Sequence, residues 1–366
     1  MSSEPQDPAP EYPRVTPIGR AKARAAPENR GRRSEYDVTD TVRVSNADEV
    51  RDVVTALYQQ TYPGAPVDAL WIAFHDFRRL FAGEYADYLG CDTIYHDRQH
   101  TLDMTLAMAR LVSGHERSCA PEDRLGETRA LMGLVTALFH DSGYVRRERE
   151  PQPLNGAEYT KHHVSRSAAF LSKYLTQIGL PELAPIAAQV VHFTGYEISL
   201  DAIELEDPRD SIVGHLLGTA DLMAQMADRC YLEKCRDRLY AEFVLGGIAT
   251  QMVGAEVRKQ RYESGIDLLR QTPQFYGESA KDRLERKFNR AYRYVEPLFE
   301  GRNPYLDAID RNLAHLTQVI ANGAWAELRR RPPCFTALAE PLETVSGLVS
   351  RELARAVNSV AGAGPE

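Results

Sequence analysis

The chain has 366 residues, of which 43% are hydrophobic and 26% are charged, and its formal net charge at pH 7 is −8. This composition is ordinary for a folded globular protein, and it excludes a wholly disordered chain, a collagen and a small disulfide-stapled scaffold. An acidic chain lacks the global positive field with which proteins wrap nucleic acid, so a polyanionic ligand would need a local site. A small anionic substrate held by metal ions remains compatible with these numbers.

The cysteine content and the hydropathy of the chain indicate its cellular compartment. The five cysteines are an odd number without a C-x-x-C pair, which favours reduced thiols over a disulfide framework. The N-terminal residues MSSEPQDPAP lack the basic-then-apolar pattern of a secretory signal, and the longest apolar stretch, around residues 131–139, is too short to span a bilayer. We therefore expect a cytoplasmic protein with neither a membrane nor nucleic acid as a partner, and we leave a homodimer open.

Hydrophobic periodicity predicts helices along most of the chain. Residues 1–33 are rich in proline and lack periodic apolar positions, which predicts a flexible tail. From residue 48 onward, apolar residues recur at the three- and four-residue spacing of helices. Later helical patterns cover residues 102–112, 129–139, 165–178, 183–193, 212–226, 239–253, 282–299 and 308–320. Because no succession of alternating strands stands out, we expect an all-α, multi-helix bundle.

The same patterns divide the chain into four predicted parts. The tail covers residues 1–33, and a helical segment over residues 34–84 packs on the core. A central domain spans residues 85–300. A helical C-terminal extension follows over residues 301–366 and breaks at Pro332-Pro333.

Histidine and aspartate interrupt the apolar helices at four places. Buried imidazoles and carboxylates cost several kcal/mol unless they are paired or bound to metal. His96 and His100 are four residues apart and share one face of a helix, whereas His140 and Asp141 are adjacent at the end of an apolar helix. The remaining two places contain Glu158, His162 and His163, and then His192 and Asp221. A single buried His or Asp is more often a hydrogen-bonded core residue. The ordered set of these His and Asp residues, however, predicts a metal site between core helices.

This ordered set resembles the HD superfamily of metal-dependent phosphohydrolases, whose ligands are a His, an adjacent His-Asp pair and a distal Asp. The matching residues are His100, His140, Asp141 and Asp221, and the resemblance covers roughly residues 90–250. It implies an HD-type helical bundle, with residues 85–300 as the catalytic domain. Mixed imidazole and carboxylate ligands suit two divalent metal ions, namely Zn, Fe, Mn or Mg.

Within that superfamily, Tyr95-His96-Asp97-x-x-His100 resembles the Y-H-N-x-x-H signature of class I cyclic-nucleotide phosphodiesterases. The resemblance implies that His96 is the general acid and that His100 binds metal. The segment over residues 241–247 is similar to their E-F-F-x-Q-G-D segment. The chain departs from the pattern because Asp97 replaces the Asn and because the third His of their H-D-x-D-H motif is missing.

Further residues are candidates for binding. His163 and His192 match positions that bind a second metal in other HD proteins, and a phosphate contact is the alternative for both. His162 and Glu158, which belong to a segment similar to the family's E-N-H-H, are candidates for the same roles. For the nucleobase, the candidates are Gln271, Phe275 and Tyr95, although Pro273 predicts a turn between the first two.

The resemblance implies a phosphodiesterase that hydrolyses a 3′,5′-cyclic nucleotide to the 5′-monophosphate. Two metals bridged by Asp141 would lower the pKa of a bridging water and polarise the phosphoryl oxygens. His96 would protonate the departing O3′. Two alternatives stay open: an HD-type phosphohydrolase acting on another nucleotide (a dNTP, a nucleoside monophosphate or a signalling nucleotide), and a catalytically silent nucleotide-binding regulator.

Overall fold

A computed structural model describes residues 33–150, 153–253 and 257–361. Within these ranges the regular structure consists of α-helices, short 3-10 and π segments, and a single antiparallel hairpin of β1 (Thr250–Val253) and β2 (Val257–Gln260). The helices are α1 (Ala47–Thr61), α2 (Asp68–Ala82), α3 (Arg98–Ser118), α4 (Gly126–Phe139), α5 (His163–Gln177), α6 (Ala184–Val190), α7 (Pro208–Ala227), α8 (Tyr231–Lys234), α9 (Tyr240–Leu245), α10 (Gly265–Phe275), α11 (Pro304–Asn322) and α12 (Pro341–Ala361). The predicted all-α architecture is confirmed.

Helix α3 is the centre of the bundle. Its residues from Gln99 to Glu116 are all buried, since α1, α4, α7 and the 3-10 segment Ala291–Leu298 surround it. Helix α4 is likewise buried from Ala130 to its end. A helix enclosed on all sides has no solvent-facing stripe, so polar residues on these helices point into the protein. The His and Asp residues of the first two motifs therefore lie in the interior.

Two predicted helices are interrupted, and one predicted turn is helical. The helix predicted over residues 239–253 ends at Leu245, because Gly247 adopts a left-handed φ of 65° and the chain then enters β1. The helix predicted over residues 282–299 breaks at Asn289 and Arg290, where φ is 48° and 56°. The prediction of a turn at Pro273 is wrong, since α10 continues through Pro273 to Phe275. Amphipathic packing of that helix outweighs the lost backbone hydrogen bond.

The chain after residue 300 packs on the central helices. Helix α11 lies against α7 and α10, and α12 lies against α9. Between them, residues 328–340 have no regular secondary structure and form what we call the C-terminal strap. The predicted break at Pro332-Pro333 falls within this strap. The predicted flexible tail lies outside the described residues except for Arg33, and no helix in the described ranges is long and apolar enough to cross a bilayer.

A buried ion pair joins the N-terminal segment to α3. The Arg110 guanidinium donates to Asp37 Oδ2 at 2.7 Å and to the Tyr305 hydroxyl at 2.7 Å, so it also reaches α11. Burial alone would raise the pKa of Asp37, but Arg110 and local hydrogen bonds lower that pKa from 3.8 to about 2. The carboxylate is therefore stabilised in its charged form in the folded protein.

We expect Asp37→Ala to lower the free energy of unfolding by about 3–5 kcal/mol, because it leaves the Arg110 charge buried without its partner. Because the native pKa of Asp37 is depressed, the contribution of the pair is fully present above about pH 4 and is lost as pH falls through about 2. Urea unfolding at pH 7 measures the effect. Asp52→Ala, which breaks an exposed pair with Arg51, serves as the control and should change stability by less than about 1 kcal/mol. Equal small effects of both variants would contradict this account.

Candidate metal centre

The apolar helix α4 ends in two buried polar residues with facing acceptor atoms. His140 Nδ1 donates to the Ala137 carbonyl at 2.8 Å, which leaves the lone pair on Nε2. That Nε2 atom lies 3.1 Å from Asp141 Oδ2, and neither of the two atoms has a hydrogen-bond partner. Two buried acceptors this close are stable only with a cation between them, either a proton or a metal ion.

Helices α3 and α7 bring a second imidazole and a second carboxylate to the same point. His100 Nε2 lies 3.4 Å from Asp141 Oδ2 and 3.3 Å from Asp221 Oδ1. Asp221 Oδ1 is also 3.8 Å from His140 Nε2. Donors held about 2.1 Å from a tetrahedral Zn²⁺ would be roughly 3.4 Å apart, so this spacing fits a metal ion. We call these four residues the HD cluster: His100, His140, Asp141 and Asp221.

The other oxygen of Asp141 faces a third imidazole. Asp141 Oδ1 lies 3.8 Å from Nε2 of His163, the first residue of α5. His163 Nδ1 donates to the Thr160 carbonyl at 2.8 Å, so its Nε2 is also left as an acceptor. The two oxygens of one carboxylate therefore face different imidazole groups.

The close approach of α5 to Asp141 requires a glycine. A Cβ atom on Gly143 would lie 1.8 Å from the His163 carbonyl oxygen, so any other residue would push α5 away. The Gly143 amide donates to Ser167 Oγ at 2.9 Å, and Arg166 Nε donates to the Gly143 carbonyl at 2.8 Å. These contacts fix His163 relative to Asp141.

The electrostatics of the HD cluster favour positive charge. Burial alone would lower the pKa of His140, but the Asp141 carboxylate raises it to about 9. Burial would raise the pKa of Asp141, but the imidazoles of His140, His96 and His100 hold it well below its ordinary value. By contrast, burial lowers the pKa of His163, which keeps this imidazole neutral and able to bind metal.

A second group in the described residues also has metal-ligand chemistry. His115, Glu116 and Cys119, at the end of α3, have donor atoms within 4.8 Å of one another. Glu116 Oε1, however, already accepts from the Leu125 amide at 2.7 Å and lies 3.3 Å from His115 Nδ1. This carboxylate is satisfied by the protein, whereas His140 Nε2 and Asp141 Oδ2 are not. The HD cluster is therefore the stronger candidate.

The geometry of the HD cluster agrees with the ligand set that the resemblance implies. Comparisons with protein-family models, with curated proteins and with solved structures find no match to this chain. Membership of the HD superfamily stays a prediction. The chemistry of the site is therefore inferred from the contacts of its own residues.

The loop before α3 orients His96. His96 Nδ1 lies 2.6 Å from Glu242 Oε2, and Glu242 Oε1 accepts from the amides of Ile94 at 2.7 Å and Tyr95 at 2.6 Å. Burial alone would lower the pKa of His96, but the Glu242 carboxylate outweighs it and raises that pKa. Sequence reasoning missed this role of Glu242. The available signal was its place in the segment 241–247, which is similar to a phosphodiesterase segment.

Tyr144 packs between two of the candidate imidazoles. Its buried ring lies 4.6 Å from the His96 ring and 4.3 Å from the His163 ring, centroid to centroid, and is nearly parallel to both. The Tyr144 ring therefore restricts the orientation of both imidazoles. Sequence reasoning missed Tyr144, whose signal was its position three residues after the His140-Asp141 pair.

The three further candidates for metal or phosphate binding are His192, His162 and Glu158. His192 is buried in the turn Val191–Phe193 beside α7, its Nδ1 has no hydrogen-bond partner, and burial lowers its pKa. His162 is exposed, and its ring contacts Tyr159. Glu158 Oε1 accepts from the amides of residues 154 and 155 and closes a capping box. The structure thus gives His162 and Glu158 partners in the surrounding turn, and the roles suggested for them in metal or phosphate binding stay predictions.

The predicted nucleobase residues do not converge. Gln271 Nε2 donates to the Arg261 carbonyl at 3.2 Å and to Asp267 Oδ2 at 3.1 Å. Phe275 is exposed near the end of α10. Tyr95 is buried, and its hydroxyl donates to Gln225 at 3.2 Å. Each has different partners, because helix α10 directs Gln271 toward its own N-terminal turn.

A cavity of about 440 Å³ lies next to the turn that carries His192, and sequence reasoning did not find it. Its wall includes Tyr196, Arg283 and Lys287. The Arg283 guanidinium donates to the carbonyls of Phe193 and Gly195, lies 3.7 Å from the Tyr196 ring centroid, and interacts with the charge of Asp221. Arg283 therefore connects this cavity to the turn that carries His192.

We expect purified protein to bind a divalent metal and Asp141→Asn to lose at least tenfold in metal affinity, because the buried carboxylate that faces three imidazoles becomes a neutral amide. Metal content by mass spectrometry after dialysis against graded Zn²⁺ or Mn²⁺ measures this. Cys119→Ser, in the second group, is the control and should retain metal. Loss of metal in Cys119→Ser but not in Asp141→Asn would show that the metal binds at the end of α3 instead.

Proposed function

We propose that this protein is a metal-dependent phosphohydrolase that hydrolyses a 3′,5′-cyclic nucleotide to the 5′-monophosphate. The observation that carries the proposal is the Asp141 carboxylate. Its Oδ2 faces the imidazoles of His100 and His140, while its Oδ1 faces that of His163. Such a carboxylate suits two adjacent divalent cations, which would neutralise the phosphate charge and lower the pKa of a water.

The chain's own residues would hold and orient these groups. His100, His140 and Asp221 are the remaining donors on the Oδ2 side, and each is fixed by a different core helix or helix end. His163 is the donor on the Oδ1 side, and its ring is oriented by the Thr160 carbonyl. The carbonyl acceptors at His140 and His163 keep the Nδ1 proton in place, so both rings present Nε2 to the site.

His96 supplies the proton in this proposal. Its Nδ1 is held by the Glu242 carboxylate at 2.6 Å, and its ring centroid is 5.7 Å from that of His100. The same carboxylate stabilises the imidazolium, so that Nε2–H can be donated to the departing O3′ oxygen. Glu242 fixes the His96 ring and stabilises its charged form. His96 is therefore better suited to act as a general acid than as a metal ligand.

Two other functions remain as alternatives. One is a phosphohydrolase for a different nucleotide, which would use the HD cluster but would not need His96 to protonate an alkoxide. The other is a nucleotide-binding regulator without turnover. The donors that a hydrolytic metal site would need, from His100, His140, Asp221 and His163, all lie around Asp141, which supports turnover over silent binding.

We expect His96→Ala to reduce kcat for a cyclic nucleotide by about 10²–10⁴-fold while metal content stays unchanged, because the leaving oxygen loses its proton donor. Glu242→Gln should also reduce kcat, by a smaller factor. Turnover of a panel of cyclic and linear nucleotides, with metal content determined on the same samples, measures this. If His96→Ala retains full turnover of a linear nucleotide, the first alternative is favoured. If native protein binds nucleotides tightly without turnover, the second is favoured.

We further propose that the nucleoside part of the substrate enters the cavity beside Arg283. One region of the Tyr196 ring is covered by the Arg283 guanidinium, yet the residue remains 59% exposed, which leaves aromatic surface for a base. The cavity volume of about 440 Å³ is sufficient for a nucleoside.

We expect Tyr196→Ala to raise KM about tenfold with little change in kcat, because stacking on an aromatic ring contributes about 1–2 kcal/mol. Initial-rate kinetics on a cyclic nucleotide measures both constants. Tyr294→Ala, a tyrosine that packs against His115 at the other end of α3, is the matched control. An unchanged KM in Tyr196→Ala would locate the base elsewhere.

A further inference from the structure

The C-terminal strap crosses the loop that carries His96. The Phe335 amide donates to Asp97 Oδ2 at 3.0 Å, and the Arg98 amide donates back to the Phe335 carbonyl at 3.3 Å. Farther along the strap, the Ala337 amide donates to the Cys91 carbonyl at 2.7 Å. The strap is therefore hydrogen-bonded at both ends of the segment 91–98, which contains His96.

Asp97 uses both of its oxygens to join the strap to α3. Oδ1 caps the helix by accepting from the amides of Gln99 at 2.9 Å and His100 at 3.2 Å, and Oδ2 accepts from the Phe335 amide. Asp97 is fully buried. An asparagine has one acceptor oxygen and would turn its NH₂ group toward a second N–H donor. The aspartate in place of the family's asparagine thus has a physical reason in this chain.

Arg238 forms a second connection between the strap and this loop. Its buried guanidinium donates to the carbonyls of Ile94, at 3.4 Å, and Pro332, and lies 3.8 Å from Asp97 Oδ2. Arg238 belongs to the π segment that leads directly into α9, the helix that carries Glu242. The strap, the loop and the helix of Glu242 therefore share one buried polar network.

Close packing adds to these hydrogen bonds. A Cβ atom on Gly90 would lie 2.8 Å from the Ala337 side chain, and Gly90 has a φ of 83° that favours glycine. The chain before the loop is thus shaped to receive the strap.

We propose that the C-terminal strap is a positioning element for His96, and that Asp97 is the positioning residue through which it acts. Without the strap, Asp97 still caps α3 and Glu242 still holds the loop, but the hydrogen bonds of Phe335 and Ala337 to the segment 91–98 are lost. A displacement of a proton donor by about 1 Å can cost two orders of magnitude in rate. The effect on turnover depends on the proposed function of His96, whereas the mechanical connection of strap and loop does not.

The test compares three variants of the full-length protein. Asp97→Asn and Asp97→Ser keep an oxygen that can cap α3 but remove the acceptor for the Phe335 amide. Asn46→Ala removes the cap of α1, whose hydrogen bonds do not involve the strap, and controls for the loss of a helix cap. Hydrogen exchange of the amides of Ile94, Tyr95 and His96, metal content, and the kinetic constants for a cyclic nucleotide are measured on each.

We expect both Asp97 variants to retain metal, to exchange the amides over residues 94–96 at least tenfold faster, and to lose 10- to 100-fold in kcat with KM nearly unchanged. Asn46→Ala should show none of these changes. Should the Asp97 variants fail to fold, Ala337→Pro removes the strap's hydrogen bond to Cys91 and should accelerate the same amides.

Unchanged exchange over residues 94–96 in the Asp97 variants and in Ala337→Pro would overturn the proposal. Accelerated exchange with an unchanged kcat in an active enzyme would also overturn it, because the strap would then have no effect on the proton donor. Accelerated exchange in a protein that turns over no cyclic nucleotide would support the connection of strap and loop while refuting the proposed function.

Discussion

The candidate site depends on the Asp141 carboxylate and its contacts with the surrounding imidazoles. The carboxylate is buried at the end of an apolar helix, and its two oxygens face three imidazoles. Because carbonyl acceptors orient the rings of His140 and His163, both imidazoles present Nε2 to this carboxylate. Facing acceptors in a dry interior are costly unless a cation joins them. Packing among α3, α4, α5 and α7 holds these groups close together.

That constraint explains features of the surrounding structure. The candidate ligands come from the ends of α4 and α5 and from the helices α3 and α7, which pack closely against each other. Gly143 allows α5 to approach, and Tyr144 fixes the rings of His96 and His163. Farther out, Glu242 and the C-terminal strap hold the His96 loop from two sides. The candidate site thus combines a buried set of donors with His96, the proposed proton donor, which tertiary contacts hold beside them.

The parts of this site that could be predicted are those with a local signal. His100, His140 and Asp221 stand out because each interrupts an otherwise apolar helix, and the periodicity of those helices predicts their burial. The pairing of His96 with Glu242 spans 146 residues, so the similarity of the segment 241–247 to a phosphodiesterase segment could single out Glu242 but not its partner. The hairpin after α9 and the break at Asn289 depend on left-handed conformations, which periodicity does not register. The strap has no periodicity at all, and only its hydrogen bonds show its place.

The most direct measurement of the central claim is the hydrolysis of a cyclic nucleotide by one preparation before and after removal of its metal. The account predicts that the chelated and dialysed protein is inactive, that a divalent metal restores turnover, and that Asp141→Asn is not restored at the same metal concentration. Full turnover in a sample free of metal would contradict the account.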